Sequence, residues 1–268
     1  MNKLFIFGLC VFVSLLAVGI VEAACTTPST GIKISTNTVF CSGTFNVTSI
    51  MVNSTNTDNL LIQCNNTILK GTAMAGSYMF YPQGHNITIQ GCQIRDVSMA
   101  VYAVNYYTSP IKYFENLTIK NNNISHIGGL AGIFLDGYRS YNITNNTFID
   151  FDYYVERDIG THAVYSSGYD QAGLQSTKGG EISYNYVNNV SASGFKFNSY
   201  GTIRNIRVFG NYITNLHPST WDNFGVHIAD ATNISVFNNI FFNTTVYYPS
   251  GVVLNIGSNT SRGPCRRP

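Results

Sequence analysis

A constant interval of 31 residues separates Phe134, Tyr165, Lys196 and His227. Each is the middle of a short segment in which a small residue is followed by mostly apolar residues at every second position, and a similar segment recurs around Val253. An interval of this size is typical of solenoids, because each coil needs its neighbours in order to bury its apolar side. The sequence therefore predicts one repetitive domain in which these residues form an outward column.

A second repeated pattern predicts the strands. Each copy starts with Asn and an aliphatic residue. It continues with Thr, Ser or Arg and then with Ile or Val, and it ends, after two further residues, with Asn or Cys. A degenerate copy starts at Glu181 and a shortened one at Asn142. Such alternation is typical of short strands with one side buried. The turn residue that ends each copy is predicted to be buried and to hydrogen-bond from coil to coil, since an Asn amide both donates and accepts. These turn residues are Cys92, Asn122, Asn146, Asn185, Asn211 and Asn239.

The composition favours an all-β fold. Lys and Glu, the usual residues of solvated helix faces, are scarce, whereas β-branched and aromatic residues are frequent. No segment has the helical period, and neither leucine-rich nor propeller repeats fit the pattern. The sequence therefore predicts a single-stranded right-handed parallel β-helix, a solenoid of about seven to eight rungs.

The N-terminus has the features of a signal peptide. Lys3 precedes an apolar stretch at 4–20, and small or apolar residues precede a cleavage site after Ala23. Residues 1–23 are thus predicted to be removed and residues 24–268 to form the β-helix domain of a secreted or cell-surface protein. An uncleaved segment, just long enough to span a bilayer, would be its link to a membrane.

Five cysteines would remain, an odd number in a compartment that permits disulfides. Cys64 and Cys92 fall at or beside the turn position of successive rungs, where either a disulfide or a stack of buried free thiols fits. Twelve Asn-x-Ser/Thr sequons are compatible with a glycoprotein. Some, such as Asn86 and Asn116, begin repeat units and are also explained by strand structure alone.

The loops that lead into the outward column predict a groove. Residues 151–161 before Tyr165 and 214–224 before His227 are long, whereas the connection to Lys196 is short. Long loops on both sides of a short one form two walls and a floor, with Lys196 on the floor. An outward Lys or His more often belongs to an ordinary solvated surface, so a groove without function is the alternative.

The predicted ligand of this groove is a polysaccharide or a cell-surface glycan. The loop aromatics offer ring faces on which sugars stack, and a guanidinium could pair with an anionic group. The candidate binding residues are Tyr153, Tyr154, Arg157, Trp221, Tyr165 and Asn198. A net charge of +2 without a Lys/Arg run gives no support for a nucleic-acid partner.

Catalysis, if present, would depend on Lys196, His227 and Asp136. Lys196 would neutralise a substrate carboxylate or act as a base beside His227, with Asp136 as the carboxylate expected on the same surface. No cofactor is required, although a loop with several carboxylates could hold calcium or simply be solvated. The acidic residues of that loop are Asp150, Asp152, Glu156 and Asp158. No other metal site is predicted, since the His residues are scattered and no Cys-x-x-Cys occurs.

The repeated strings resemble a known group of secreted proteins. The NIxIxxN copies, the segment from Leu60 to Gly71 and the signal peptide are similar to right-handed parallel β-helix repeat proteins of the pectate-lyase-like superfamily and to NosD-type repeats. The resemblance covers about Gly31 to Asn259 and implies the fold. It implies no single activity, because such proteins include lyases, hydrolases, adhesins and proteins without known chemistry. Of the polygalacturonase motifs only Asn56-Thr57-Asp58 occurs, and it lies too early in the chain.

Three hypotheses follow, in order of preference. The first is a non-catalytic β-helix that binds glycans or surface polysaccharide. The second is a polysaccharide lyase, or a related glycoside hydrolase, that acts on an anionic polysaccharide. The third is a purely structural solenoid of the cell envelope. The missing catalytic motifs favour the first and third over the second, and the aromatic loops favour the first over the third.

Overall fold

The chain folds as a parallel β-solenoid, as the sequence predicts. Within the part described by the computed structural model, the regular elements are β-strands, and paired strands run parallel. In that part no helix is long and apolar enough to cross a membrane. The described residues are 24–54, 59–71, 76–104, 114–136, 138–151, 161–168, 179–216, 224–244 and 254–257. The predicted signal peptide therefore lies outside them.

Each turn of the solenoid contributes to three faces. The first face stacks β1 (Lys33–Ile34), β4 (Ile50–Ser54), β7 (Tyr78–Gly84), β10 (Met99–Val104), β13 (Ala131–Asp136), β16 (His162–Gly168), the first parts of β19 (Phe195–Phe209) and β21 (Val226–Phe237), and β23 (Leu254–Gly257). The second face stacks β2 (Thr38–Phe40), β5 (Leu60–Cys64), β8 (Ile87–Gln90), β11 (Leu117–Lys120), β14 (Ser140–Thr144), β17 (Gly179–Ser183) and the later parts of β19 and β21. The third face stacks β3 (Gly43–Asn46), β6 (Thr67–Lys70), β9 (Gln93–Val97), β12 (Asn123–Ile127), β15 (Thr147–Phe151), β18 (Tyr186–Val190), β20 (Tyr212–Thr214) and β22 (Ile240–Phe242).

Six successive turns consist of three separate strands each, from β1–β3 to β16–β18. In the next two turns a single long strand, β19 or β21, runs through the first and the second face before β20 or β22 completes the turn. β23 begins a further turn on the first face. The eight stacked strands of the third face agree with the seven to eight rungs expected.

The inward aliphatic residues of the strands form one continuous core. The pairs predicted from the second repeat are fully buried on the second face in β8, β11 and β19. Those residues are Ile87, Ile89, Leu117, Ile119, Ile206 and Val208. Full burial of each side chain stabilises the fold by roughly 1.5–3 kcal/mol. The corresponding Ile234 and Val236 of the last described turn are only partly buried.

A ladder of buried asparagines joins the second and third faces, as predicted. Asn211 accepts from the backbone N–H of Asn185 at 2.9 Å and from its Nδ2 at 3.0 Å. It donates in turn through Nδ2 to the carbonyl of Ile182 at 2.9 Å and to Oδ1 of Asn239 at 2.9 Å. The same bonds link Asn122, Asn146 and Asn185, and each of these asparagines is at most 2% exposed. The ladder therefore satisfies backbone groups of every turn it crosses.

Disulfides link the first turns. Cys64 and Cys92 form a disulfide with Cα atoms 4.8 Å apart, so the disulfide and not a free-thiol stack occupies this position. Cys25 and Cys41 form a second one. The backbone N–H of Cys92 donates to Oδ1 of Asn122 at 2.9 Å, so the asparagine ladder begins next to the Cys64–Cys92 disulfide. Covalent links thus hold the early turns, and amide hydrogen bonds hold the later ones.

Two register expectations need correction. His227 pairs with Asn255 and not with Val253, because β21 aligns Val226 with Leu254. The copy at Asn142 does not begin a strand with its Asn, since Asn142 lies within β14 opposite Thr118 of β11. In both cases the interval between turns changes, and a fixed repeat length places the residue wrongly.

Candidate functional site

The predicted outward column exists on the first face. Phe134 pairs with Tyr165, Tyr165 with Lys196, and Lys196 with His227 on successive turns. The residue before each of them is fully buried, as expected for strand alternation: Ile133, Val164, Phe195 and Val226. Consecutive side chains of the column therefore follow one another at about 4.8 Å along the solenoid axis.

The part of this column that lies toward the N-terminal turns is an aromatic stack and not an open surface. Tyr102 lies between Tyr78 and Phe134, with ring centroids 4.1 Å and 5.7 Å away. Phe134 is only 7% exposed, and β13 is buried along its whole length. Sequence reasoning placed Phe134 outward but did not foresee this outer hydrophobic cluster, in which neighbouring rings cover one another.

The surface opens at Tyr165 and Lys196, which are both half-buried. The ammonium of Lys196 lies 5.3 Å from the centroid of the Tyr165 ring, a cation–π contact. Asn198, which is exposed, donates from Nδ2 to the hydroxyl of Tyr165 at 3.3 Å. On the next turn the imidazole of His227 lies against the ring of Phe224, with centroids 5.0 Å apart. Four polar groups thus lie on three neighbouring strands: the phenol of Tyr165 on β16, the ammonium of Lys196 and the amide of Asn198 on β19, and the imidazole of His227 on β21.

A short buried connection sets the position of Lys196. Residues 191–194 join β18 to β19 and are buried. The backbone N–H of Ser193 donates to Nδ1 of the buried His162 at 3.2 Å, and Ser191 Oγ accepts from the N–H of Thr161 at 2.9 Å. A Cβ on Gly194 would lie 2.8 Å from the carbonyl oxygen of Gly225, so this position has no room for a side chain. The expected floor of the groove is therefore tied to the preceding turn.

His162 is the residue of this region that the sequence analysis missed. It precedes the repeated segment and carries no motif, but its ring lies 5.4 Å from that of Tyr165 and accepts the Ser193 hydrogen bond. The missed signal was a polar residue two positions before Val164, on the inward side of β16.

Asp136 lies apart from Lys196. It is 4% exposed, and β16 separates its strand β13 from β19, so the two backbones are about 10 Å apart. The structure thus brings Tyr165, Lys196, Asn198 and His227 together but does not add Asp136 to them. Their roles remain predictions.

The predicted walls of the groove lie outside the described residues. This applies to Tyr153, Tyr154, Arg157 and Trp221, and to three of the four acidic loop residues. Asp150 is described, and its Oδ1 accepts from Nδ2 of Asn189 at 2.6 Å. Among the described residues no group of three His, Cys, Asp or Glu side chains could hold a metal ion.

No protein-family pattern matches the chain, and comparisons with curated proteins and with solved structures find no similar protein. The fold and the local chemistry therefore carry the functional argument.

Proposed function

We propose that this protein is a secreted or cell-surface β-solenoid that binds glycans without catalysis. The binding surface is the outward side of the first face at Tyr165, Lys196, Asn198 and His227. We also propose that the chain is a relative of the pectate-lyase-like and NosD-type β-helix proteins, whose repeats it resembles. The two disulfides support an oxidising compartment, and the exposed sequons support glycosylation of the protein itself.

The cluster around Tyr165 is the observation that carries the proposal. A glycan presents many hydroxyls, which need both donors and acceptors within reach. The phenol of Tyr165 and the amide of Asn198 supply both, and the Lys196 ammonium supplies three donors. Because His227 lies one turn below Lys196, an extended polymer along the axis would meet polar groups on successive turns.

A polysaccharide lyase is the second candidate. The adjacency of Lys196 and His227 favours it, since a cation and an imidazole on neighbouring turns could neutralise a uronate and move a proton. The distance of Asp136 from both argues against a three-residue centre.

A glycan array combined with a lyase assay separates the two candidates. The secreted chain is screened on neutral and uronate-containing glycans, and the same polymers are followed for the absorbance of unsaturated uronate, with and without calcium. We expect binding without new absorbance. Absorbance that Lys196→Ala abolishes would establish the lyase. If the chain neither binds nor cleaves these polymers, the remaining hypothesis is a purely structural solenoid.

A further inference from the structure

The exposed apolar side chains of this protein are concentrated at one corner. Among the described residues, six large apolar side chains remain exposed, and all lie in the last three described turns, near the junction of the second and third faces. They are Tyr184, Tyr186, Tyr212, Phe237, Ile240 and Phe242. We call these six residues the corner patch. Contiguous exposed patches of this kind mark interaction surfaces.

Earlier turns carry polar residues at the same positions. Tyr186, Tyr212 and Ile240 pair in register on the third face, where the preceding turns place Gln93, Asn123 and Thr147. At the end of the second face, Phe209 and Phe237 follow Gln90, Lys120, Thr144 and Ser183. The solenoid folds with polar residues at these positions, so its architecture does not require the aromatic ones.

Three rings of the patch stack on a neighbouring ring. Phe237 stacks on the half-buried Phe209, which lies beside the patch, with centroids 5.1 Å apart and planes 5° apart, and Tyr186 stacks on Tyr212 at 5.7 Å and 15°. Stacked rings turn their edges outward, whereas a sugar needs a free ring face. This arrangement disfavours a glycan and favours a flat apolar protein surface.

Size and charge identify the partner. Aromatic side chains bury about 150–250 Å² each, so six large side chains at about half exposure offer roughly 600 Å². A standard interface buries roughly 800 Å² per partner, which the polar rim can complete. Beside the patch, Arg207 pairs with Glu181 at 3.3 Å and lies 5.0 Å from the Phe209 ring. This ion pair is satisfied within one copy and has no net charge, so it brings no net repulsion to an interface that uses the same patch on both copies.

We propose that the corner patch is the interface of a symmetric homodimer. In a three-sided solenoid the corner between the second and third faces lies opposite the first face. The dimer therefore leaves the outward side of the first face open on both copies. The proposal is independent of the glycan site, because it uses different residues.

Sedimentation of the full secreted chain over a wide concentration range tests the dimer. We expect a concentration-dependent dimer for the wild type. Tyr212→Lys, at the centre of the patch, should weaken dimerisation at least about a hundredfold. Gln63→Lys, an exposed position on β5 of the second face, outside the sequons and away from the patch, should leave it unchanged. Circular dichroism and Tm check the fold of each variant, and glycan binding per copy should be unaffected.

A second pair of variants keeps the test decisive if Tyr212→Lys fails to fold. Tyr186→Lys and Tyr186→Glu should each be monomeric, and an equimolar mixture of the two should dimerise more tightly than either alone. A wild type that stays monomeric at all concentrations overturns the proposal. So does a dimer that Tyr212→Lys and both Tyr186 variants leave intact.

Discussion

Asparagine has two distinct structural roles in this protein. Among the described residues, eleven of the sixteen non-glycine residues with positive φ are asparagines, which explains why this residue is so frequent at the turns. The inward asparagines of the ladder have ordinary backbone angles and use their amides instead. Outward asparagines also bond between turns, as Asn116 Nδ2 does to Asn86 Oδ1 at 2.8 Å, so several sequons are part of the structure.

Replacing Asn211 by Leu should destabilise the fold. The carbonyl of Ile182 and the backbone N–H of Asn185 would lose their partners in the core. Each buried group left unpaired costs about 1–3 kcal/mol. Denaturant unfolding measures the loss. Gln63→Leu is the matched control, because Gln63 carries an exposed amide on β5 outside the sequons, and it should change the free energy of unfolding by less than about 0.5 kcal/mol. Equal Tm values for the two variants would contradict the role of the ladder.

Tyr138 gives the folded protein a weakness at high pH. Its buried hydroxyl donates to the carbonyl of Gly84 at 3.1 Å, and burial raises the pKa of the phenol. In the unfolded chain this phenol ionises near its ordinary pKa of about 10. Above that pH the unfolded chain therefore binds fewer protons than the folded protein, and the free energy of unfolding falls as the pH rises. Tyr138→Phe should cost about 1 kcal/mol at neutral pH. Urea unfolding should show this difference narrowing above about pH 10, and a constant difference would disprove the argument.

Lys196→Ala should weaken binding of an acidic glycan. A charge-assisted hydrogen bond contributes roughly 1.5–3 kcal/mol, which corresponds to an about ten- to hundredfold rise in Kd. The Tm should hardly change, because Lys196 is outward and half-buried. Lys120→Ala, a half-buried lysine on the second face, is the matched control. If both variants bind as the wild type does, the site is wrongly placed. Trp221→Ala should also weaken binding through loss of a stacking face.

Strands of this protein differ in how far they run. β19 continues for fifteen residues through two faces, with a register shift between Asn198 and Ile203. The sequence analysis expected short strands separated by turns at each corner. The segment of β19 that contains Ser199 and Gly201 has the composition of a turn. Alternation of apolar and polar residues alone does not distinguish a bent strand from two strands joined by a turn. Strand sides were predictable because side-chain alternation decides burial, whereas strand ends depend on packing.

The disulfide between Cys64 and Cys92 should stabilise the early turns. It spans 28 residues, and a loop of that size corresponds to about 3–4 kcal/mol of unfolded-state entropy. The double variant Cys64→Ser/Cys92→Ser should lose about that much in guanidinium unfolding under non-oxidising conditions. The Cys25→Ser/Cys41→Ser variant opens a shorter loop at the first turn and should lose less. A double variant as stable as the wild type would show that the hydrogen bonds suffice.

The whole molecule is close to one-dimensional, since each turn contacts its two neighbours. Stability should therefore fall toward an end that is weakly held. Ile234 and Val236 of the last described turn are partly buried, whereas Ile206 and Val208 one turn earlier are fully buried. Hydrogen exchange should be fastest in β21 and β22 and slowest in β11 and β14. Uniform protection along the axis would mean that the solenoid opens as a single unit.

At this scale the sequence predicts much of the fold and little of the site. The 31-residue interval places Tyr165, Lys196 and His227 in one column, because register follows directly from repeat length. The burial of Asp136 and Phe134 was not predictable, since it depends on what covers the outer side of β13. The corner patch was also missed. Its residues are far apart in sequence, and stacking of turns alone brings them together.

A force that pulls on the two ends of this chain would unfold the solenoid one turn at a time. A turn held by an asparagine ladder gives way when a few parallel hydrogen bonds break, and the 31 residues between equivalent positions then release about 100 Å of chain. The turn closed by Cys64 and Cys92 releases none of its enclosed length, because the disulfide carries the load. The molecule would therefore extend in steps through the described turns that follow Cys92, which neither of these two disulfides spans. The two segments that the disulfides close, residues 25–41 and 64–92, would keep a fixed end-to-end length under tension.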